Sequence, residues 1–246
     1  MFLRKWDDLP EKMKNEQVRP YYDVLSKHRK SLIIKRGFDV IFSIIAIVIF
    51  LPVMAAVAVV IKMDSPGKVF FRQERITAYG KKFRIWKFRS MVYDAEKKGA
   101  AVTVDSDVRV TKVGAIIRKY RLDEIPQLFN ILSGDMTFVG VRPEVEKYVN
   151  HYTDEMYATL LLPAGVTSEA SIRYKDEYTL LADDENLDAT YINKIMPGKM
   201  YYNLLAIKEF SIFEDLKTIF RTIFAVLGKE YADIRKDIVN GKNSRT

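Results

Sequence analysis

The stretch VIFSIIAIVIFLPVMAAVAVVI, Val40 to Ile61, decides how this chain is read: 22 residues carry no charge, and only Ser43 and Pro52 interrupt the apolar run. As a helix rising about 1.5 Å per residue it reaches about 33 Å, enough to cross a hydrocarbon core of about 30 Å. Fifteen of these residues are Val, Ile, Leu or Phe, each favoured at mid-bilayer by roughly 0.3 to 0.6 kcal/mol, so entry into lipid is favoured by several kcal/mol. Pro52 lies just past the middle. It lacks a backbone donor and crowds the carbonyl of Val48, so a kink or break is expected there.

The flanking charges do not orient the run. Lys27, Arg29, Lys30, Lys35 and Arg36 precede it, and Lys62, Lys68, Arg72, Arg75 and Lys81 follow it. Neither flank looks more cytoplasmic than the other. A spanning helix with a tolerated proline is the simpler reading; a helix that dips into one leaflet, bends at Pro52 and returns to the same face satisfies the positive-inside preference on both flanks. A secretory signal does not fit, because the run starts 40 residues in and continues past its Ala-x-Ala triplet, Ala56 to Ala58.

The remainder of the 246-residue chain is long enough for one domain with a sizeable core. With 40 Lys and Arg against 32 Asp and Glu, the net charge of +8 points to anionic partners such as lipid headgroups or phosphorylated substrates. No nucleic-acid motif is present, so nucleic acid is not an expected partner. The absence of cysteine excludes thiol chemistry and thiolate metal sites. With His28 and His151 as the only histidines, chemistry has to rest on carboxylates, Lys, Arg, hydroxyls and a hard cation.

Residues 1–36 are polar and basic, with Trp6, Leu9, Tyr21, Tyr22, Leu25, Leu32, Ile33 and Ile34 scattered among them, and are expected at the membrane surface. Beyond the run, Asp64-Ser65-Pro66-Gly67 signals a turn. Val69–Gln73 and Phe83–Ser90 then read as a β-hairpin about Tyr79-Gly80-Lys81, its second strand placing Lys87 and Arg89 on one face. Val113 to Tyr120 and Glu124 to Leu132 read as helices, the latter ended by Gly134. Near the end, Ile212, Phe213, Leu216, Ile219, Phe220, Ile223, Phe224 and Leu227 recur at helical spacing. Packing on the domain core is the plainer account of that helix, and lying in the headgroup layer is the alternative.

The candidate for chemistry is Arg121-Leu122-Asp123-Glu124-Ile125-Pro126-Gln127. A structural account exists: Asp123 caps a helix, Glu124 favours the dipole, and Pro126 is tolerated in a first turn. The surroundings favour function. Arg118, Lys119 and Arg121 flank the pair, Gly140-Val141-Arg142-Pro143 follows closely, and Lys87 and Arg89 come from the hairpin. Such cations suit a phosphorylated ligand and keep nearby carboxylates ionised. An ionised carboxylate can attack phosphorus while its neighbour holds a hard cation.

These residues fall in ordered blocks: Lys35-Arg36-Gly37-Phe38-Asp39, Asp64-Ser65-Pro66-Gly67, Phe71-Arg72-Gln73-Glu74-Arg75, Lys87-Phe88-Arg89-Ser90-Met91, Leu122 to Gln127, and Gly134-Asp135-Met136 leading to Val139-Gly140-Val141-Arg142-Pro143. In these the chain resembles the bacterial sugar transferases, the monotopic polyprenyl-phosphate phosphoglycosyl transferases, in their small form. The resemblance implies an α+β, mostly helical monotopic membrane protein: an interfacial segment over 1–36, a proline-broken re-entrant helix over 37–62 with Pro52 at the break, and one cytosolic catalytic domain over 63–246. It implies transfer of a sugar 1-phosphate from a UDP-sugar to polyprenyl (undecaprenyl) phosphate, with release of UMP, at the cytoplasmic leaflet of the bacterial inner membrane. Asp123 would be the nucleophile, forming an aspartyl-phosphosugar intermediate, and Glu124, with Asp123, would hold Mg2+. Lys87, Arg89, Arg118, Gln127, Arg142 and Arg173 would contact substrate phosphate. A second copy of the chain is a further candidate partner. The same resemblance turns the reading of the apolar run from spanning to re-entry.

The chain departs from the usual pattern at Leu51, where a serine often precedes the proline, at Thr77-Ala78 in place of a glycine, and at Val141 in place of the first proline of Gly-Pro-Arg-Pro. Pro163-Ala164-Gly165-Val166-Thr167 resembles a Pro-Gly-x-Thr motif with an extra alanine. A non-catalytic basic scaffold at the membrane surface accounts for charge and apolar run but not for the ordered blocks. Nothing in the sequence names the sugar or the glycan pathway.

Overall fold

Pro20, whose fixed φ suits a first helical turn, opens α1 (Arg19–Lys27). In the computed structural model, which describes residues 2–92, 94–95, 107–175 and 186–226, the segment ahead of the apolar run is not a surface strap. Leu3, Leu9, Met13, Val18, Tyr21, Tyr22 and Leu25 are buried in one apolar cluster with Tyr148, Leu161, Met196, Met200 and Ile207. Tyr21 Oη donates to Glu155 at 2.5 Å and Asn15 Nδ2 to the Asp154 carbonyl at 3.3 Å. Its apolar side chains fill a groove offered by distant elements, each large one gaining roughly 1.5–3 kcal/mol by burial.

The apolar run lies inside α2 (Arg29–Asp64), 36 residues or about 54 Å long. Helical structure passes through Pro52 without interruption, so the proline costs a hydrogen bond without ending the helix, and the element extends beyond both expected bounds. One stripe is buried, namely Leu32, Lys35, Asp39, Ser43, Met54, Val57 and Ile61. The outer faces, including Ile41, Ile45, Val48, Ile49, Leu51, Val59 and Val60, are exposed. The stripe is pinned by polar contacts at its start. Lys35 Nζ pairs with Asp215 at 2.7 Å, Arg36 donates to the Ile131 and Leu132 carbonyls, and Asp39 accepts from Thr137 Oγ1 at 2.7 Å and the Phe138 amide. At its far end, Arg89 donates to the Ser65, Pro66 and Ile61 carbonyls.

The expected hairpin forms from β1 (Phe70–Ile76) and β2 (Lys82–Phe88), antiparallel with Phe71 opposite Lys87 and Arg75 opposite Phe83. Tyr79 (φ 60°) and Gly80 (φ 74°) supply the left-handed turn. Phe83 and Ile85 pack with Leu128, Ile131 and Met136; Phe88 packs with Met54, Val57 and Ile61 of α2. Helix α3 (Lys112–Lys119) is capped by Thr111, whose hydroxyl accepts from the Gly114 amide. Gly114 sits so close to the end of the hairpin that a Cβ would lie 1.9 Å from the Ser90 carbonyl oxygen.

Helix α4 (Leu128–Ser133) ends at Gly134 (φ 88°). Strands β3 (Met136–Val139) and β4 (Ala164–Thr167) pair in parallel. Short helices α5 (Glu146–Val149), α6 (Glu169–Arg173) and α7 (Leu187–Thr190) follow. The last runs through one π turn (Tyr191–Ile195) into α8 (Met196–Lys208). The final helix, α9 (Ile212–Val226), turns its polar side inward: Asp215 meets Lys35, Thr222 meets Thr167, and Arg221 meets Glu169. Phe213, Leu216, Phe220, Ile223 and Phe224 face outward. The plainer expectation, an apolar face on the core, is therefore overturned, and Leu227 lies outside the described residues. The fold is mostly helical with a small sheet component and one long apolar helix, as expected.

Candidate active site

Arg121 adopts a left-handed conformation (φ 56°) at the end of α3 and redirects the chain into a 3₁₀ segment, Leu122–Gln127. This segment packs against β2 and α3, so the carboxylate pair faces the hairpin and the last turn of α3. Arg142 arrives from the other side. Its loop is clamped to β4 by backbone bonds from Gly140 N to the Thr167 carbonyl (2.9 Å) and from Gly165 N to the Val141 carbonyl (2.7 Å). A Cβ on Gly165 would lie 2.2 Å from Gly140 backbone, so that position needs glycine for close approach rather than for its φ. The shifted Pro163-Ala164-Gly165 motif therefore still delivers its glycine to the arginine loop.

Glu124 is held by two cations. Lys87 Nζ lies 2.9 Å and Arg142 Nη2 2.5 Å from its Oε1, with Arg142 Nη1 3.3 Å from Oε2. Burial by itself would raise the Glu124 pKa, but Arg142 and Lys87 outweigh it and hold the carboxyl well below the usual range. Asp123 is the opposite case. Burial, followed by the charge of Glu124, pushes it above the ordinary aspartate value against the pull of Lys87, Arg121 and Arg118. Burial likewise lowers Lys87, opposed by Glu124. Asp123 does not cap a helix: its side chain accepts no hydrogen bond among the described residues, and it lines a cavity of about 1740 Å3. A pair of neighbouring carboxyls pushed apart in this way offers one spent on holding cations and one available to react.

Lys87, Arg118, Asp123, Glu124, Gln127 and Arg142 all line that cavity. Gln127 is 1% exposed, and both polar atoms of its carboxamide lack a partner among the described residues. Arg89 borders the cavity, but its guanidinium serves the carbonyls that end α2. β2 stops at Phe88, so the expected shared face with Lys87 does not extend to it. Arg173 is not brought in: it pairs with Glu169 at 2.8 Å and lies over the Tyr202 ring. Pro52 sits in α2, two residues beyond Phe50, which lines the cavity. No group of three or more His, Asp or Glu gathers among the described residues. The donor set is thus one carboxylate pair, which fits a magnesium ion that keeps waters and takes further oxygens from phosphate rather than a protein-only cage.

Sequence reasoning missed Glu144, Tyr148, Tyr191 and Lys199 on the inner wall, and gave no role to Gln73 and Arg75, although both stand in a quoted block. Only Gln73 and Arg75 left a usable signal, since Tyr191 and Lys199 follow no motif.

Comparison with known proteins places the sequence in a family. The family model described as bacterial sugar transferase matches residues 30–229. Over 198 residues, 79% of this chain and 44% of the relative, the chain is 40% identical to UDP-N-acetylgalactosamine-undecaprenyl-phosphate N-acetylgalactosaminephosphotransferase of Aeromonas hydrophila. It is 32% identical over 218 residues, 87% of this chain and 44% of the relative, to UDP-glucose:undecaprenyl-phosphate glucose-1-phosphate transferase of Escherichia coli (strain K12). A Bacillus subtilis (strain 168) protein, provisionally named as an undecaprenyl-phosphate N-acetylgalactosaminyl 1-phosphate transferase, is 42% identical over 63% of this chain and 86% of its own length. The chain thus spans under half of the first and second of these relatives and most of the third, and its match across residues 30–229 makes it a member of the bacterial sugar transferase family.

Proposed function

We propose that this chain transfers a sugar 1-phosphate from a UDP-sugar to undecaprenyl phosphate through a covalent intermediate on Asp123, so starting a lipid-linked glycan. The observation that carries the reading is the asymmetry of the carboxylate pair: Glu124 is tied to Lys87 and Arg142, while the Asp123 carboxylate has no hydrogen-bond or ion-pair partner among the described residues and lines the same cavity. The names of the relatives supply the substrate classes. They differ in their sugar, so the sugar used here is left open.

In the first displacement an Asp123 oxygen attacks the sugar-bearing phosphorus, the bond from that phosphorus to the bridging oxygen breaks, and UMP leaves with the bonding pair. In the second, a phosphate oxygen of the lipid attacks the same phosphorus and the Asp123 carboxylate departs unchanged. Lys87 and Arg142 exchange part of their contact with Glu124 for diphosphate oxygens, and Arg118 adds positive charge nearby. Gln127, its amide unspent, donates to a phosphate oxygen. Glu124 and Asp123 would hold Mg2+, which supplies charge compensation for the diphosphate and the leaving UMP.

Two features support a re-entrant membrane arrangement. Residues 3–25, ahead of α2, and residues 148–210, beyond it, share one apolar cluster, which supports a course that keeps both ends of α2 on one side of the bilayer. The domain also packs along α2 from Lys35 to Ile61, and a spanning course would carry polar parts of the domain into lipid. Re-entry from the cytoplasmic leaflet, with a bend at Pro52, satisfies both. The outward apolar face of α9 then lies at headgroup depth. That depth suits a reaction between a soluble nucleotide sugar and a lipid-borne phosphate.

The test is to supply a UDP-sugar labelled in its β-phosphate without lipid acceptor. Label should remain on the protein, be absent with Asp123→Asn, and pass to undecaprenyl phosphate when it is added. Direct attack by the lipid phosphate predicts an unlabelled protein and turnover only with both substrates present.

A further inference from the structure

The same cavity is lined by a second group of polar side chains that the two displacements do not use, Gln73, Arg75, Glu144, Tyr148, Tyr191 and Lys199, the last four of them buried. They adjoin the reacting end. Arg75 feels the charges of both Arg142 and Glu144, and Glu144 follows Arg142 by two residues, about 7 Å of extended chain. The group is built rather than incidental. Tyr191 Oη donates to Glu144 Oε1 and accepts from Lys199 Nζ at 3.1 Å. Tyr191 opens the π turn, a local widening of the helix that is frequent at functional sites.

Its hydrogen-bonding capacity is only partly used. Glu144 Oε2 accepts no hydrogen bond among the described residues, and its residue is 8% exposed. Arg75 gives one donor to Gln73 Oε1 and one to the Pro143 carbonyl; its Nε is shielded from solvent without a partner, and it makes no ion pair among the described residues. A half-buried guanidinium and a buried carboxylate with unspent donors and acceptor, beside the Tyr148 and Tyr191 rings (centroids 4.7 Å apart), match a ring that presents hydroxyls on its edge and C–H groups on its face. Precisely placed polar groups in an otherwise enclosed wall are what give a pocket its selectivity.

We propose that this inner wall binds the transferred sugar ring itself and selects among sugars, with Glu144 accepting from ring hydroxyls and Arg75 donating to ring substituents. The inference rests on the transferase reading and deepens it. Two considerations assign the sugar rather than the uridine. The sugar is bonded to the attacked phosphorus, so it must lie within one ring of Asp123. It also stays on the protein between the two displacements, whereas UMP has to leave, so the enclosed end suits the retained piece. The exposed cations at the rim, Lys119, Arg121 and Arg84, suit the departing one.

The experiment measures UMP release by the full chain in lipid nanodiscs over UDP-glucose, UDP-galactose, UDP-N-acetylglucosamine and UDP-N-acetylgalactosamine, alongside calorimetric binding of UDP, which lacks the sugar. Glu144→Gln, and the milder Tyr191→Phe, should lower kcat/KM for the best sugar on the order of 10- to 100-fold, flatten the preference across the panel, and leave UDP affinity within about twofold. Equal losses for every sugar together with weakened UDP binding would assign the wall to the nucleotide or to the fold and overturn the proposal. Unchanged kcat/KM in both variants would overturn it as well. If the unaltered chain releases UMP from none of the four, the transferase reading fails first, and this inference falls with it.

Discussion

Replacing Glu124 by Gln keeps the shape of the side chain and one acceptor oxygen while removing the charge that Lys87 and Arg142 share. Breaking a buried ion pair from one side costs about 3–5 kcal/mol when the remaining charge stays buried. Here the Glu124 side chain is 11% exposed, but those of Lys87 and Arg142 are 19% and 31% exposed, so both cations can turn toward water. That reduces the cost to about 1–3 kcal/mol. At about 2–4 °C per kcal/mol for a domain of this size, the unfolding midpoint should fall by roughly 2–12 °C. The assay is thermal unfolding in nanodiscs followed by tryptophan fluorescence, because Trp86 immediately precedes Lys87. Turnover should fall to a small residue. Asp123→Asn is the internal control, since burial disfavours the charge that it removes and its midpoint should hold or rise. A Glu124→Gln protein as stable as the parent, or an Asp123→Asn protein that loses more, would refute the division of labour between the two carboxyls.

Asp123→Asn should abolish UMP release while leaving the protein folded, and full activity would exclude the covalent route. The acid limb of kcat/KM should lie above the ordinary aspartate range of about 3.9, because Asp123 must be ionised to attack and burial raises its pKa. Arg121→Ala, which removes a cation that opposes the shift, should move that limb further up. Stability follows the same signs in opposite windows: the favourable contribution of Asp123 is present at low pH and lost as pH rises through its raised folded value, whereas that of Glu124 is present above its unfolded value and lost as pH falls toward its depressed one. Phe213→Glu with Phe220→Glu, both on the outward face of α9, should raise KM for the lipid acceptor and leave KM for the UDP-sugar unchanged in steady-state assays. Asp39→Ala strands the Thr137 hydroxyl and the Phe138 amide, and the midpoint should fall by an amount corresponding to about 2–3 kcal/mol in the same unfolding measurement.

The hairpin was legible because alternation along Phe83 to Phe88 is a local signal, and the apolar helix because its length alone is decisive. The carboxylate pair was legible from its neighbours in the chain. The N-terminal segment was not, since one apolar residue in three or four suits a surface and a groove equally, and the helices that form the groove lie far along the chain. For α9, the spacing from Ile212 to Phe224 establishes that one face is apolar, while the side on which that face lies depends on Lys35, Thr167 and Glu169. Arg89 lies one residue past the end of the strand, where its guanidinium meets the carbonyls of α2, and local alternation carries no sign of that contact. Arg173 is paired with Glu169, one turn earlier on its own helix. The inner wall of the cavity could not be read, because Arg75, Glu144 and Tyr191 meet only through tertiary packing.

The shared burial of the two flanks of α2 also sets an order of events during synthesis. Val18, Tyr21 and Leu25 find their partners on Met196, Met200 and Ile207, which a ribosome working at about 5–20 residues per second reaches roughly 10–40 s later. Over that interval the leading segment has to wait, unsheltered, beside a greasy helix that has already entered lipid. A nascent chain arrested before α8 emerges would therefore leave its first segment open to proteases and holdase chaperones, even with its anchor in place.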